Sequence, residues 1–219
     1  MNRLALFDCD GTLVDSAANI CEAMEICFAA ADLPLPPRSA TRRVVGLSPV
    51  EAVAMLHPAG EPEFHIALAE DYKRAFQTLR AQGMVAEPLF EGIADAIEAL
   101  DTAGWLLGVA TGKSDRGLAF CLDHHGLAHR FVTLQTADRH PSKPHPSMIE
   151  AAMAEAGASP ETTVMIGDTS FDIGMAKAAG VLAIGVAWGY HDRDELLAEG
   201  ADLVAEHPAE LAAMLEALR

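Results

Sequence analysis

Basic residues and aromatic residues are both scarce in this sequence of 219 residues. Lys and Arg number 15 against 32 Asp and Glu, and the formal net charge at pH 7 is -17. A surface for nucleic acids or anionic membranes needs clustered Lys and Arg to neutralise phosphates, so neither kind of partner is expected. The same acidity opposes an anionic ligand, and a phosphate site in this protein must therefore build its own local positive charge.

Paired cysteines and long apolar runs are also missing. The four cysteines form no Cys-x-x-Cys pair, and neither a disulfide framework nor a zinc ribbon is expected. No run approaches the ~20 apolar residues of a membrane span, and the apolar stretch before Asp8 is too short for a signal peptide. We therefore expect a cytoplasmic protein with reduced thiols.

The chain does contain a high proportion of hydrophobic residues, 51% against 21% charged residues. This composition is typical of a globular fold with a core of small aliphatic side chains. Short apolar runs alternate with helical patterns that end at glycine, and this alternation predicts an α/β fold with a doubly wound parallel sheet. The predicted strands are 4–7, 106–110, 131–134, 164–166, 183–187 and 203–205, and the predicted helices between them are 93–103, 115–124, 146–156 and 171–179.

Residues 16–82 break the alternation, because they contain helical patterns and no strand-like run. Segments 17–31 and 61–79 are predicted helices, and residues 48–51 form a capping-box pattern, with Pro49 at the first helical position. We expect an all-helical cap domain over 16–82, inserted into an α/β core that comprises 1–15 and 83–219. The hinges between them are expected near 14–16 and 81–88.

Polar residues follow several predicted strands at the point where each strand ends. They are Asp8 and Asp10 after the first strand, Thr111, Gly112 and Lys113 after the second, Lys143 before the fourth, and Asp168 and Asp172 after the fourth. Ligands of open parallel sheets bind beyond the carboxyl ends of the strands, so these clusters predict a single site. A calcium loop is disfavoured, since it needs Gly at its sixth position and Glu at its twelfth, whereas here Gly11 is fourth and Asn19 is twelfth.

In these residues the chain resembles the haloacid dehalogenase superfamily, in the subfamily that carries a helical cap after the first strand. Its motifs occur in order as Asp8-x-Asp10-Gly11-Thr12, Thr111, Lys143 and Gly167-Asp168-x-x-x-Asp172. Segments 15–16, 88–100 and 185–190 are most similar to phosphoglycolate phosphatases. The resemblance covers nearly the whole chain and implies a phosphatase that depends on Mg²⁺.

The resemblance also implies a catalytic role for four residues. Asp8 is the expected nucleophile, which forms an aspartyl phosphate. Asp10 is expected to protonate the leaving oxygen and then to deprotonate the attacking water. Thr111 is expected to donate a hydrogen bond to the phosphoryl group, and Lys143 to neutralise its charge.

The metal ligands are likewise implied by the resemblance. Mg²⁺ is expected to bind Asp8, the backbone carbonyl of Asp10, and Asp168, because these are hard oxygen ligands. Asp172 is expected to hold Lys143 or a water on the metal. Taken singly, these residues also have ordinary interpretations: Asp168 and Asp172 could cap the helix that follows, and Lys143 could be a solvated loop lysine.

Candidate substrate contacts are Gly112 and Lys113 beside Thr111, and Arg43 and Gly46 in the expected cap. An arginine there could hold a second anionic group of the substrate, although a solvated basic turn explains the same residues.

Several reactions within the family stay open. Similar dehalogenases lack an acid at the position of Asp10, so this residue favours phosphate-ester hydrolysis or phosphoryl transfer. The expected substrate is a small phosphorylated metabolite, phosphoglycolate first, with inorganic pyrophosphate, nucleotides and a sugar phosphomutase reaction as alternatives. Mutases match Asp15 but carry Thr and His where this chain has Ser16 and Ile20. A phosphorylatable regulatory protein or a pseudoenzyme is the alternative of another class, and the sequence does not distinguish a monomer from a dimer.

Overall fold

The structure, a computed structural model, describes residues 2–217. Six strands form one sheet in the order β3-β2-β1-β4-β5-β6, and each neighbouring pair is parallel. Parallel strands need crossover connections, so helices cover the sheet and the carboxyl ends of the strands share one edge. This confirms the predicted doubly wound α/β fold. The strands are β1 (Asn2–Phe7), β2 (Leu106–Thr111), β3 (Phe131–Thr136), β4 (Ala158–Gly167), β5 (Leu182–Val186) and β6 (Leu203–Ala205).

The helices agree with the predicted segments, and three short ones were not predicted. Helices α2, α9 and α10 have only six or seven residues each, too few for a helical repeat to be recognised in the sequence. No helix among residues 2–217 combines the length and the apolar character needed to cross a bilayer. The helices are α1 (Ala17–Ala30), α2 (Arg38–Arg43), α3 (Pro49–Leu56), α4 (Pro62–Ala81), α5 (Ile93–Thr102), α6 (Asp115–His124), α7 (Ser147–Ala156), α8 (Ser170–Ala179), α9 (Arg193–Glu199) and α10 (Leu211–Ala217).

The central strand β1 packs side chains on both faces of the sheet. Ala5 and Phe7 contribute to one apolar cluster, and Leu4 and Leu6 contribute to another, because successive side chains of a strand point to opposite faces. All four side chains are fully buried. Burial on both faces explains why this strand is apolar throughout, and it places the next residue, Asp8, at the carboxyl edge of the sheet.

Helices α1 to α4, which we call the helical region, pack largely against one another. Met24 and Phe28 of α1 meet Val53 of α3 and Leu68 of α4 in a buried cluster. Two chain segments connect this region to the sheet, one after Val14 and one after α4. Such an arrangement is consistent with the expected cap, whose boundaries stay a prediction.

The capping box predicted at the start of α3 is only half formed. The Ser48 hydroxyl accepts a hydrogen bond from the Glu51 backbone N–H. The Ser48 backbone N–H does not complete the box, because it donates to the Ser142 hydroxyl at 2.8 Å. The prediction of a complete box was therefore wrong, and the reason is a contact with a distant loop of the α/β core.

Candidate active site

The loop after β1 needs glycine for two separate reasons. The Asp8 backbone N–H donates a hydrogen bond to the Ile166 carbonyl oxygen at 2.9 Å, and this bond continues the pairing of β1 with β4. Gly11 then adopts a φ of +92°, and a Cβ at this position would lie 2.2 Å from Asp168 Oδ2. A side chain here would thus meet both backbone strain and a collision. The tight loop brings Asp8 and Asp168 together.

Three buried carboxylates and one ammonium group form the centre of the site. The carboxylates of Asp8, Asp168 and Asp172 lie within 4.8 Å of one another, and all three residues are fully buried. The Lys143 Nζ lies 2.7 Å from Asp8 Oδ1 and 2.6 Å from Asp172 Oδ1. Lys143 is therefore not a solvated loop lysine, since it is 2% exposed and contacts two acids. When ionised, the cluster carries more negative than positive charge.

The protonation of this cluster reflects its burial. Burial raises the pKa of Asp8 to about 7, although the Lys143 ammonium acts in the opposite direction. Burial and the neighbouring charge of Asp172 together raise the pKa of Asp168. Burial disfavours the charged form of Lys143 as well, but the charges of Asp172 and Asp8 outweigh it, so the Lys143 pKa is raised. The site thus favours the charged form of Lys143 and disfavours the charged forms of Asp8 and Asp168.

Hydrogen bonds fix the orientation of Asp168. The Thr12 hydroxyl donates to Asp168 Oδ1 at 2.9 Å, and the Tyr190 backbone N–H donates to Asp168 Oδ2 at 2.9 Å. A Cβ at Gly189 would lie 2.1 Å from the Asp168 Cβ, so only glycine fits beside this carboxylate. Sequence reasoning quoted these neighbours of Asp168 without assigning them a contact, and nothing in their local pattern indicates one.

Asp172 combines a structural role with a role in the site. One of its oxygens accepts hydrogen bonds from the Thr169 backbone N–H at 3.0 Å and from the Thr169 hydroxyl at 2.7 Å, as part of the capping box of α8. Its other oxygen accepts from Lys143. Asp172 therefore both caps α8 and contacts Lys143.

Asp10 belongs to a second buried network next to the first. Its Oδ1 accepts a hydrogen bond from the Ser16 hydroxyl and lies 2.8 Å from the Lys113 Nζ. Lys113 also pairs with Glu87 at 2.6 Å, and Glu87 pairs with Arg80 at 2.6 Å. Lys113, predicted as a substrate contact, is thus already engaged with two carboxylates. Sequence reasoning missed Ser16, Glu87 and Arg80, which folding brings together from separate segments.

Thr111 ends β2, fully buried. Its hydroxyl accepts from the Lys113 backbone N–H at 3.2 Å. It does not cap α6, because the Ser114 hydroxyl takes that role by accepting from the Gly117 backbone N–H at 3.1 Å. The Thr111 hydroxyl hydrogen can therefore still be donated to a ligand.

Two of the glycines predicted near the substrate mark a close contact between the helical region and the sheet. A Cβ at Gly112 would lie 2.4 Å from the Leu47 carbonyl oxygen and 2.7 Å from the Gly46 carbonyl oxygen. The helical region therefore lies directly over the carboxyl edge of β2. A cavity of about 290 Å³ remains between them, and its wall includes Asp10.

The predicted substrate contacts differ in their placement. Gly46, Gly112 and Lys113 line this cavity. Arg43 does not line it, because its guanidinium pairs with Glu195 at 2.5 Å on the exposed surface. Charge attraction to a nearby acid thus explains the position of Arg43 without a substrate.

The residues of the acidic cluster fit a divalent cation. Both carboxylate oxygens of Asp8 are buried; Oδ1 contacts the Lys143 ammonium, and Oδ2 has no hydrogen-bond partner among residues 2–217. Buried polar atoms without partners are unfavourable, and a surplus of buried negative charge is more so. Carboxylate oxygens are the ligands that Mg²⁺ prefers. The cluster therefore fits Mg²⁺.

Comparison with known proteins places this arrangement in a family. Residues 5–186 match the family model described as haloacid dehalogenase-like hydrolase. The probable phosphatase IndB of Dickeya dadantii is 36% identical over 224 residues, which cover 100% of this chain and 95% of that protein. The tyrosine-protein kinase PtkA of Mycobacterium tuberculosis is 31% identical over 219 residues, covering 99% of this chain and 72% of that protein.

A phosphoglycolate phosphatase and a solved structure are also similar. The phosphoglycolate phosphatase of Salmonella choleraesuis is 30% identical over 221 residues, covering 92% of this chain and 88% of that protein. The structure of a predicted phosphatase from Clostridium acetobutylicum superimposes with a TM-score of 0.87 at 28% identity, covering 99% of each chain.

Proposed function

Because this chain belongs to the haloacid dehalogenase-like hydrolase family, we propose that it is a Mg²⁺-dependent phosphatase that hydrolyses a phosphate monoester through an aspartyl phosphate on Asp8. The observation that supports this most directly is the state of Asp8. Its carboxylate is fully buried at the sheet edge, lies 2.7 Å from an ammonium group, and has no other hydrogen-bond partner in the part of the chain that the structure describes. A carboxylate in this environment is free to act as a nucleophile.

Residues of the acidic cluster would hold the metal. Asp8 and Asp168 are the proposed side-chain ligands, together with the backbone carbonyl of Asp10. When bound, Mg²⁺ would offset the repulsion between a carboxylate and a phosphate dianion. Asp172 pairs with Lys143 beside Asp8 and is the third carboxylate of the cluster.

In the first half-reaction, an Asp8 oxygen forms a bond to phosphorus and the bond from phosphorus to the ester oxygen breaks. Asp10 gives its proton to that oxygen, and the alcohol leaves. The Lys143 ammonium and the Thr111 hydroxyl stabilise the charge on the transferring group. The Ser16 hydroxyl and the Lys113 ammonium hold the Asp10 carboxyl at the start of the helical region.

In the second half-reaction, water attacks phosphorus and gives a proton to Asp10. The bond between Asp8 and phosphorus breaks, which releases inorganic phosphate and restores the Asp8 carboxylate. Residues 16–82 act as a cap that excludes bulk water while the intermediate exists. The close contact of Gly112 with the Leu47 backbone supports this proposal, because it positions the helical region over the site.

The test is continuous phosphate release from a panel of monoesters with Mg²⁺, including phosphoglycolate, for the wild type and for Asp8→Asn. We expect Asp8→Asn to lower kcat by at least about 10⁴-fold, because it removes the nucleophile. Asp32→Asn, the same chemical change at an exposed position, serves as the matched control. Rapid acid quenching with a labelled ester is expected to label the wild type at Asp8.

Full activity of Asp8→Asn would refute the proposal. Release that stops after one phosphate per protein molecule would instead favour a phosphorylatable regulatory protein.

A further inference from the structure

The cavity beside Asp10 is where the leaving alcohol must lie if Asp10 protonates it. Its volume is about 290 Å³. An apolar protein cavity of about 150 Å³ accommodates benzene, so this one has room for one or two rings. A two-carbon glycolate would fill only a small part of it.

The wall of the cavity is mainly apolar. The helical region forms one side of the cavity, and Phe120 of α6 forms part of the other. Apolar side chains of the helical region in this wall are those of Ile20, Met24, Val45, Leu47 and Phe76. Burying an apolar ligand against such a wall is favourable in proportion to the area removed from water.

The cations of the buried wall are already neutralised. Lys113 pairs with Asp10 and Glu87, and Arg80 pairs with Glu87. The Arg80 guanidinium also stacks over the ring of Phe76, 5.1 Å from its centroid. Before Asp10 takes up the proton that it later donates, these two cations thus face two carboxylates.

The two other basic residues of the wall are not buried. Lys73 pairs with Glu70 at 2.9 Å, and Arg116 is an exposed residue of the lining with no ion pair to a described residue. Among the described residues, the buried part of the wall therefore offers no uncommitted cation. A leaving group with its own carboxylate would have to compete with Glu87 for the buried cations, whereas an uncharged leaving group needs no such partner.

One polar group of the wall is available for a neutral partner. The Tyr72 ring lines the cavity, and its hydroxyl makes no hydrogen bond to any described residue. It can pair with a hydroxyl or carbonyl group on an otherwise apolar ligand.

We infer that the preferred substrate is the phosphate monoester of an uncharged alcohol with an apolar or aromatic body of one or two rings. This substrate class rests on the proposed phosphatase function. It differs from the phosphoglycolate expected from sequence similarity, because the cavity has more volume than glycolate fills and a mainly apolar wall.

Three esters of primary alcohols test the inference with similar leaving-group chemistry: ethyl phosphate, phosphoglycolate and 2-phenylethyl phosphate. Each is assayed with the wild type and Mg²⁺ by phosphate release. We expect kcat/KM for 2-phenylethyl phosphate to exceed that of the other two by about 10-fold to 100-fold, as burial of one ring predicts.

Variants of α4 show whether the cavity causes this preference. Phe76→Ala removes an aromatic wall and is expected to lower the ratio of kcat/KM for 2-phenylethyl phosphate to that for ethyl phosphate by about 10-fold. Phe76→Leu is expected to restore much of the ratio. Phe64→Ala is the matched control, because Phe64 lies on the same helix, is 38% exposed and does not line the cavity.

The outcomes separate the two proposals. Hydrolysis of phosphoglycolate or ethyl phosphate at an equal or higher kcat/KM would overturn the substrate class and leave the phosphatase proposal intact. A ratio unchanged by Phe76→Ala would also overturn it. If none of the esters is hydrolysed, both the proposed function and the substrate class fail.

Discussion

Replacement of Gly112 by Ala tests whether the observed contact between the helical region and the sheet is the catalytic arrangement. The added Cβ would lie 2.4 Å from the Leu47 carbonyl oxygen, whereas ordinary contact begins at 3.4 Å. The helical region would therefore have to retreat by about 1 Å. It cannot relieve the overlap by turning a side chain, because the obstructing atoms are backbone atoms.

A displacement of this size is expected to act on turnover more than on folding. Misplacement of a reacting group by about 1 Å lowers a rate by about 100-fold, which corresponds to ~2.7 kcal/mol. Gly112 is not among the residues with positive φ, so alanine adds no backbone strain there. The free energy of unfolding is expected to change by less than ~1 kcal/mol, since the helical region can move as a unit.

The assay measures kcat/KM by phosphate release and the free energy of unfolding by denaturant titration. Gly126→Ala is the matched control, because Gly126 has a φ of +66° and no atom lies within 4 Å of the position that its Cβ would occupy. That variant is expected to lose about 1–2 kcal/mol of stability and to keep its activity. Wild-type kcat/KM in Gly112→Ala would refute the reasoning, because the observed contact would then not be part of turnover.

Three further predictions concern charged residues, two of them in the site and one outside it. Lys143→Met removes the ammonium that contacts Asp8 and Asp172, and it is expected to lower the free energy of unfolding by about 3–5 kcal/mol and to abolish turnover. In EDTA, the free energy of unfolding is expected to fall as the pH rises from about 4 to about 7 and then to level off, because burial raises the Asp8 pKa from 3.8 to about 7 and folding therefore favours the protonated acid. Arg43→Ala removes an ion pair whose side chains are 50% and 38% exposed, and it is expected to change stability by ~0.2–1 kcal/mol and to leave kcat/KM near the wild-type value.

Each of these predictions has a clear contrary result. Retained turnover in Lys143→Met would show that the transferring group does not need this charge. The pH dependence of the free energy of unfolding is measured by denaturant titration with EDTA and with Mg²⁺, and Asp8→Asn is the control. The same pH dependence in Asp8→Asn would show that groups other than Asp8 cause it. A large rise in KM for Arg43→Ala would indicate that Arg43 does contact the substrate.

Local sequence pattern was sufficient for the strands and for most helices of the α/β part. The apolar run of β1 followed by Asp8, and the glycines that end α7 and α8, are features of consecutive residues. Hydrophobic periodicity and the residues that end helices act over a few positions, so they can be recognised without knowledge of the fold. The same limit explains why the short helices α2, α9 and α10 were missed.

The sequence by itself determined which acids follow which strands, and parallel strands bring such residues to one edge for any chain of this topology. Only the tertiary structure decided how they pair. It placed Lys113 between Asp10 and Glu87, turned Arg43 outward to Glu195, and left a largely apolar cavity beside Asp10. Those contacts join segments far apart in the chain, and no local pattern encodes them, because their energies depend on burial and distance in the folded protein.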